Sequence, residues 1–175
     1  MAITASRSPN DLTWTNFTVV PSRILDPADN TLVDAYTTFN YTFPNQGPRT
    51  MPDGQLAFPD PWNISIAPNA RVWSGVAQTA DLLSHENWHY HLGFVIARVV
   101  AKRLAAYRGS SNAQLLTEMN SVVQLHFHRR AGLLQKRYDI DTRHGTQAHY
   151  QRIWKDRMTA CLANPNAEML GGYWL

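Results

Sequence analysis

The chain has one cysteine, no long apolar run and no repeated segment. Cys161 has no second cysteine to pair with, which leaves the redox compartment open. No stretch approaches the roughly 18 consecutive apolar residues of a membrane-spanning helix. Residues 1–7 lack a charged segment followed by an apolar one, so no signal peptide is expected within this chain. These absences exclude a disulfide scaffold, a membrane span and a repeat architecture.

Glutamate is also scarce. The chain contains three glutamates: Glu86, Glu118 and Glu168. The first of them lies at the second position of an H-E-x-x-H motif that opens a long apolar stretch. Histidines four residues apart on a helix lie about 40° apart around its axis, so His85 and His89 can bind one metal ion from one face. The motif predicts a zinc site at these histidines, with Glu86 as the general base toward a water on the metal.

The bulk composition is that of a globular protein. With 44% apolar and 17% charged residues, 175 residues suit one domain, spanning 1–175, that buries its own core. The net charge is +3, and twelve of the sixteen lysines and arginines lie between Arg98 and Arg157. This distribution favours solvated helix faces over a nucleic-acid surface, because carboxylates interrupt the basic clusters and aromatic interleaving is absent.

Residues 1–75 predict strands and loops, whereas residues 78–163 predict helices. Alternation of apolar and polar residues indicates strands, and Pro–Gly punctuation indicates a loop from Pro44 to about Pro61. The predicted strands are 12–17, 35–43, 62–66 and 70–73. The predicted helices are 79–107, with Thr79 or Ser84 as the N-cap, 112–136 and 146–162. The expected fold is α+β, with a small, mainly antiparallel sheet packed on about three helices.

A catalytic zinc needs a third protein ligand. The extended motif with a further histidine at position 95 is excluded, because Val95 stands there. The segment 138–145, with sequence Y-D-I-D-T-R-H-G, is expected between two helices and supplies several candidates. We favour His144 as the third ligand because a neutral imidazole suits zinc. Asp139 and Asp141 are alternative ligands or acceptors that orient an imidazole, and Glu118 is possible by spacing.

The same segment offers a catalytic hydroxyl. Tyr138 can donate a hydrogen bond to the oxyanion that forms when a scissile carbonyl is attacked. The sequence therefore predicts that His85, His89 and His144 bind zinc. It also predicts that Glu86 and Tyr138 take part in catalysis.

Several separated blocks of the chain resemble the DUF922 family, predicted bacterial zinc-dependent peptidases of the H-E-x-x-H group. Residues 12–17 are similar to the family's L-x-W-x-D-F opening, and residues 138–145 resemble its Y-D-x-E/D-T-x-H-G block. Other similar positions are Trp73-Ser74, residues 82–90, Ala97-Arg98, Gln147 and Gln151. The chain departs from the family pattern at Asn16, Asn87 and His91, none of which is a proposed ligand or base.

The resemblance implies a zincin-like fold, a zinc cofactor, a peptide or protein substrate, and export from the cell after removal of a leader. A cytoplasmic location is the alternative. Two other functions compete with the peptidase reading: a zinc-binding structural or interaction protein without turnover, and a basic binding module in which the motif is accidental. The basic binding module predicts binding to polyanions, with an affinity that falls steeply as the salt concentration rises. The peptidase reading expects neither a nucleic-acid partner nor a membrane span.

Overall fold

The fold is α+β, as predicted. A computed structural model describes residues 9–59 and 63–175. The strands of these residues are β1 (Thr18–Val20), β2 (Ile24–Leu25), β3 (Leu32–Val33), β4 (Ala35–Thr42), β5 (Arg49–Thr50), β6 (Leu56–Ala57), β7 (Ser65–Trp73), β8 (Arg108–Gly109), β9 (Met169–Leu170) and β10 (Tyr173–Trp174). The helices are α1 (Ala80–Ala106), α2 (Asn112–Val123), α3 (Ala131–Thr142) and α4 (Ala148–Ala163), with a π-helical segment, Gln124–Arg130, joining α2 to α3.

The central sheet has the strand order β1-β7-β4. Strand β4 runs antiparallel to β7 over its whole length, and β1 is parallel to β7. Alternate residues of β4, namely Ala35, Thr37 and Phe39, are buried, which is the period of two expected for a strand with one face on the core. The predicted strand 35–43 is therefore confirmed to within one residue.

The predicted strand at residues 12–17 is wrong. Residues Trp14–Asn16 form a 3₁₀ turn, and β1 begins at Thr18. The backbone N–H of Thr13 donates to Asn16 Oδ1 at 2.8 Å, a local bond that competes with strand pairing. The predicted loop 44–61 also contains β5 and β6, and one strand, β7, replaces the two short strands expected at 62–66 and 70–73. Trp62 lies outside the described residues.

Helix α1 carries the H-E-x-x-H motif and forms the centre of the core. Its N-cap is Thr79, whose hydroxyl accepts from the backbone N–H of Leu82 at 3.2 Å. Asn87, inside the motif, accepts from the backbone N–H of Leu12 at 2.6 Å and so ties the start of the described chain to this helix. In the part of the chain that the structure describes, no helix combines the length and apolarity needed to cross a bilayer.

The second predicted helix runs further than expected. Instead of ending near residue 136, it continues through the π-helical segment and α3 to Thr142. Tyr138 and Asp139 are therefore helical residues, and the turn between helices is confined to residues 143–147. Helix α4 then follows within two residues of the predicted start at 146.

Gly93 sets the distance between α1 and the central sheet. A Cβ atom at this position would lie 2.7 Å from Phe39 Cγ and 2.9 Å from Ile66 Cγ2. We therefore expect Gly93→Ala to lower the free energy of unfolding relative to Gly132→Ala, a helical glycine with open space around its Cβ position. Both variants gain the same helix propensity, so their difference, about 1–3 kcal/mol, isolates the steric effect. Urea unfolding of both variants tests this, and equal stabilities would contradict it.

Candidate metal centre

Three side chains meet at one point between α1 and α3. Asp139 Oδ1 lies 3.0 Å from His89 Nε2 and 3.2 Å from His85 Nε2, and the two Nε2 atoms lie 3.3 Å apart. Donor atoms about 2.0 Å from a tetrahedral zinc are separated by about 3.3 Å. The three atoms therefore have the mutual spacing of three ligands on one ion, and the cluster is compatible with a bound metal.

The secondary structure explains why these atoms meet. His85 and His89 are one helical turn apart on α1, as the motif predicts. Asp139 lies in the last turn of α3, which packs against α1. All three residues are buried: 3% of the surface of His85 is exposed, and 6% of the surface of His89 and of Asp139.

Burial and mutual contact shift the protonation equilibria of the cluster. Burial alone would raise the pKa of Asp139, but the imidazoles of His89 and His85 outweigh it and hold that pKa well below its usual range. Burial would likewise lower the pKa of His89, but the Asp139 carboxylate outweighs it and raises that pKa. The Asp139 carboxylate is thus held in its charged form, the form in which a carboxylate can bind a metal ion.

Glu86 lies beside the cluster and is 2% exposed. Burial raises its pKa, against the opposing effect of His85 and His89. The nearby hydroxyl of Thr37, on β4, also opposes the rise in the pKa of Glu86, although it has no hydrogen-bond partner among the described residues. Glu86 Oε2 has no hydrogen-bond partner among the described residues, and the same is true of the Nδ1 atoms of His85 and His89. A buried carboxylate oxygen without a partner suits a group that bonds to a ligand or to a reacting molecule.

The cluster opens into a cleft of about 630 Å³. One wall is the β2–β3 hairpin with the start of β4, and the other is the first turns of α1 with one face of α3 and the turn after it. His85, Glu86, His89 and Asp139 all line this cleft. The donor atoms are therefore accessible to a small molecule or a peptide while remaining largely shielded from bulk water.

The predicted third ligand, His144, lies in the cleft wall but outside the three-atom cluster. Its Nδ1 is 3.9 Å from Asp139 Oδ1, farther than the about 3.3 Å between ligands of one tetrahedral ion. Its Nε2 lies 3.0 Å from Asp29 Oδ2. The third donor atom of the cluster is thus Asp139 Oδ1, from one of the alternatives that the sequence left open, and His144 lies next to it. The assignment of His144 as a ligand stays a prediction.

The turn that carries His144 has an unusual backbone. Arg143, His144 and Gly145 have φ of 46°, 50° and 84°, three consecutive residues in the left-handed region. Such a conformation costs about 1–3 kcal/mol for a residue other than glycine. A Cβ atom on Gly145 would lie 3.1 Å from His85 Cγ, so glycine lets this turn pack closely on His85.

Tyr138 lies behind the cluster and is absent from the cleft wall. Its ring stacks on His85, with centroids 4.7 Å apart, and on Trp88, with centroids 4.0 Å apart. Burial raises the pKa of Tyr138. Because adjacent helical residues point about 100° apart, Tyr138 faces the core when Asp139 faces the cleft. The oxyanion role of Tyr138 stays a prediction that this placement does not favour.

The remaining candidates lie elsewhere. Asp141 pairs with Arg137 at 3.0 Å and accepts from Trp154 Nε1 at 3.1 Å, so its two oxygens are bonded away from the cluster. Glu118 lies on α2 and does not line the cleft.

Two aspartates close to His144 were missed by the sequence prediction. Asp26 and Asp29 come from the β2–β3 hairpin loop, where Asp26 Oδ1 accepts from the backbone N–H of Ala28 at 2.8 Å. Aspartates are common in turns for this reason alone. Asp29 is 115 residues from His144 in sequence, so no local pattern links them.

Comparison with family models, curated proteins and solved structures found no match to this chain.

Proposed function

We propose that this protein is a zinc-dependent metallopeptidase, a hydrolase of peptide bonds. The observation that carries the proposal is the buried triangle of His85, His89 and Asp139 donor atoms, with edges of 3.0–3.3 Å, beside the unpartnered carboxylate of Glu86. Two of the blocks that resemble DUF922, residues 82–90 and 138–145, supply all four of these side chains. Membership of that family is part of the proposal.

The donor set suits zinc. Two imidazole nitrogens and one carboxylate oxygen form the three-ligand set of a catalytic zinc, with a further position open to the cleft. Iron(II) also accepts two histidines and one carboxylate. A fourth buried group, Glu86, can act as a base beside the three donors. A base at this position favours zinc, which serves hydrolysis, over iron(II), which serves redox reactions. When bound, a zinc ion would polarise a carbonyl group and bring the pKa of a water near neutrality.

Glu86 is the general base in this proposal. It accepts a proton from the attacking water as the water oxygen bonds to the carbonyl carbon. It then returns that proton to the leaving nitrogen as the carbon–nitrogen bond breaks, so that the products are an acid and an amine. Burial raises the pKa of Glu86, which makes its carboxylate a stronger base toward the water than an exposed glutamate.

The cleft wall supports an extended peptide as the substrate. Residues 31–37 line the cleft, and among the described residues β4 pairs with one strand, β7. The other edge of β4 therefore has backbone groups without a strand partner. A peptide can add to such an edge through main-chain hydrogen bonds, which bind it with little dependence on its sequence.

Metal analysis tests the proposal first. We expect protein purified without added metal, then incubated with zinc and freed of excess, to contain about one zinc per chain. At 100 times the dissociation constant, free zinc should stabilise the fold by about 2.7 kcal/mol, which raises the melting temperature by roughly 5–10 °C. Magnesium, which prefers oxygen ligands, is the control and should not raise it.

Casein digestion completes the test. The zinc-loaded protein should cleave casein, and a chelator should abolish cleavage reversibly. One zinc without cleavage would favour a binding protein instead. Absence of zinc uptake, with salt-sensitive binding to polyanions, would favour the basic binding module.

A further inference from the structure

Two buried polar atoms beside the donor cluster have no hydrogen-bond partner among the described residues: His85 Nδ1 and Gln151 Oε1. His85 contributes its other ring nitrogen, Nε2, to the cluster. A neutral imidazole that gives one nitrogen to a metal carries its hydrogen on the other nitrogen, so His85 Nδ1 is a donor when Nε2 binds an ion. The amide oxygen of Gln151 is an acceptor. The two atoms therefore have complementary needs.

The turn after α3 brings these two groups together. A Cβ atom on Gly145 would lie 3.1 Å from His85 Cγ and 3.2 Å from Gln151 Oε1, and the three atoms nearest to that point all belong to these two residues. Because glycine has no Cβ, no side chain of the turn separates the imidazole from the amide. The gap at Gly145 is thus bordered by the histidine ring on one side and by the amide oxygen on the other.

A second contact fixes the orientation of the Gln151 amide. Its Nε2 donates to the backbone carbonyl of Asp81 at 2.9 Å, and Asp81 lies one helical turn before His85 on α1. The nitrogen end of the amide is thereby engaged, which leaves Oε1 as the acceptor without a partner. Gln151 lies in the first turn of α4, which packs against α1, and it does not line the cleft. The amide is therefore available to orient a neighbouring side chain but not to contact a substrate.

From these contacts we infer that Gln151 is a positioning residue for His85 and that one buried water joins them. The water accepts from His85 Nδ1–H and donates to Gln151 Oε1, which gives both atoms a partner. This link holds the imidazole with Nε2 directed at the other donors, so the ring needs little further ordering when the ion binds. The inference rests on the proposed zinc site, and in it Gln151 acts only through His85.

Two substitutions separate the oxygen of Gln151 from its nitrogen. Gln151→Met keeps the length of the side chain and removes both the acceptor and the donor, whereas Gln151→Glu keeps an acceptor oxygen and removes the donor to Asp81. We expect zinc affinity, measured by competition with a fluorescent chelator, to fall by about 10–100-fold in Gln151→Met and to stay close to that of wild type in Gln151→Glu. Gln124→Met, at an exposed glutamine of the π-helical segment, is the control and should bind zinc as wild type does.

Nuclear magnetic resonance reports the hydrogen bond itself. In zinc-loaded protein that contains isotope-labelled histidine, the hydrogen on His85 Nδ1 should exchange slowly with solvent, because it is buried and bonded. We expect Gln151→Met to shift this resonance or to lose it through faster exchange, and Gln151→Glu to keep it. A wild-type resonance that exchanges as fast as that of an exposed histidine would overturn the inference without the use of any variant.

The remaining outcomes separate a positioning role from a structural one. Equal losses of zinc affinity in Gln151→Met and Gln151→Glu would trace the effect to the bond with Asp81 and would overturn the inference. Unchanged zinc affinity in Gln151→Met would also overturn it, while the proposed function would stand. A wild type that takes up no zinc would reject the proposed function itself, and the inference with it.

Discussion

Glu86→Gln is expected to retain one zinc per chain and to lose nearly all peptidase activity. Glutamine keeps the shape of the side chain but cannot accept the proton of the attacking water at neutral pH. Removal of a general base lowers kcat by about 10²–10⁴-fold. The measurement is kcat for the cleavage of casein, together with zinc content by elemental analysis.

The fold should survive this change. Because burial already opposes the charge of Glu86, its replacement by a neutral side chain should alter the free energy of unfolding by no more than about 1 kcal/mol. Glu118→Gln, on α2 and away from the cleft, is the control and should retain full activity. Wild-type turnover in Glu86→Gln would reject Glu86 as the base.

Asp139→Asn is expected to remove most of the zinc. The change preserves the size of the side chain but replaces an anionic donor, 3.0 Å from His89 and 3.2 Å from His85, by a neutral amide. Loss of a group that only supports a ligand already weakens metal affinity by about 10–100-fold, so loss of a ligand should weaken it by at least about 100-fold. Competition with a fluorescent zinc chelator measures the affinity directly.

Asp141→Asn is the matched control for Asp139→Asn. It removes the same charge from the same helix, two residues later, where the carboxylate bonds Arg137 and Trp154. We expect zinc affinity to be unchanged and the melting temperature to fall slightly. If Asp139→Asn keeps its zinc while His144→Ala loses it, the third ligand is His144, as the sequence alone suggested.

Sequence periodicity was sufficient to predict the part of the candidate metal centre that lies on α1. The spacing of His85, Glu86 and His89 belongs to a single helix, so a period of 3.6 residues already places both imidazoles on one face. The same local reasoning gave the strand Ala35–Thr42, whose alternation is visible in the sequence. Local reasoning failed at Trp14–Asn16, where a hydrogen bond between Thr13 and Asn16 outweighs the alternating pattern.

The position of Asp139 in the candidate metal centre depends on where helix α3 ends. A helix that ended near residue 136 would leave Asp139 in a turn together with His144, and the chemistry of imidazole would then favour His144. Because α3 continues to Thr142, Asp139 is directed by the helix toward α1, and Tyr138 is directed away from the cleft. The sequence gives little indication that the helix ends at Thr142 and not near residue 136. Helices commonly end before a glycine in the left-handed conformation, but here Arg143 takes that conformation.

The π-helical segment between α2 and α3 sets the direction in which α3 presents Asp139 to α1. A π-helical turn accommodates one residue more than an α-helical turn, through hydrogen bonds to the fifth residue instead of the fourth. The segment Gln124–Arg130 therefore absorbs one residue without the rotation of about 100° that an added residue causes in a continuous α-helix. If the same seven residues were α-helical, everything after them would rotate by roughly that angle. Asp139 would then point away from the two histidines, although every donor residue would still be present in the chain. The position of the third donor is therefore encoded in the backbone of a segment that contributes no donor to the cluster.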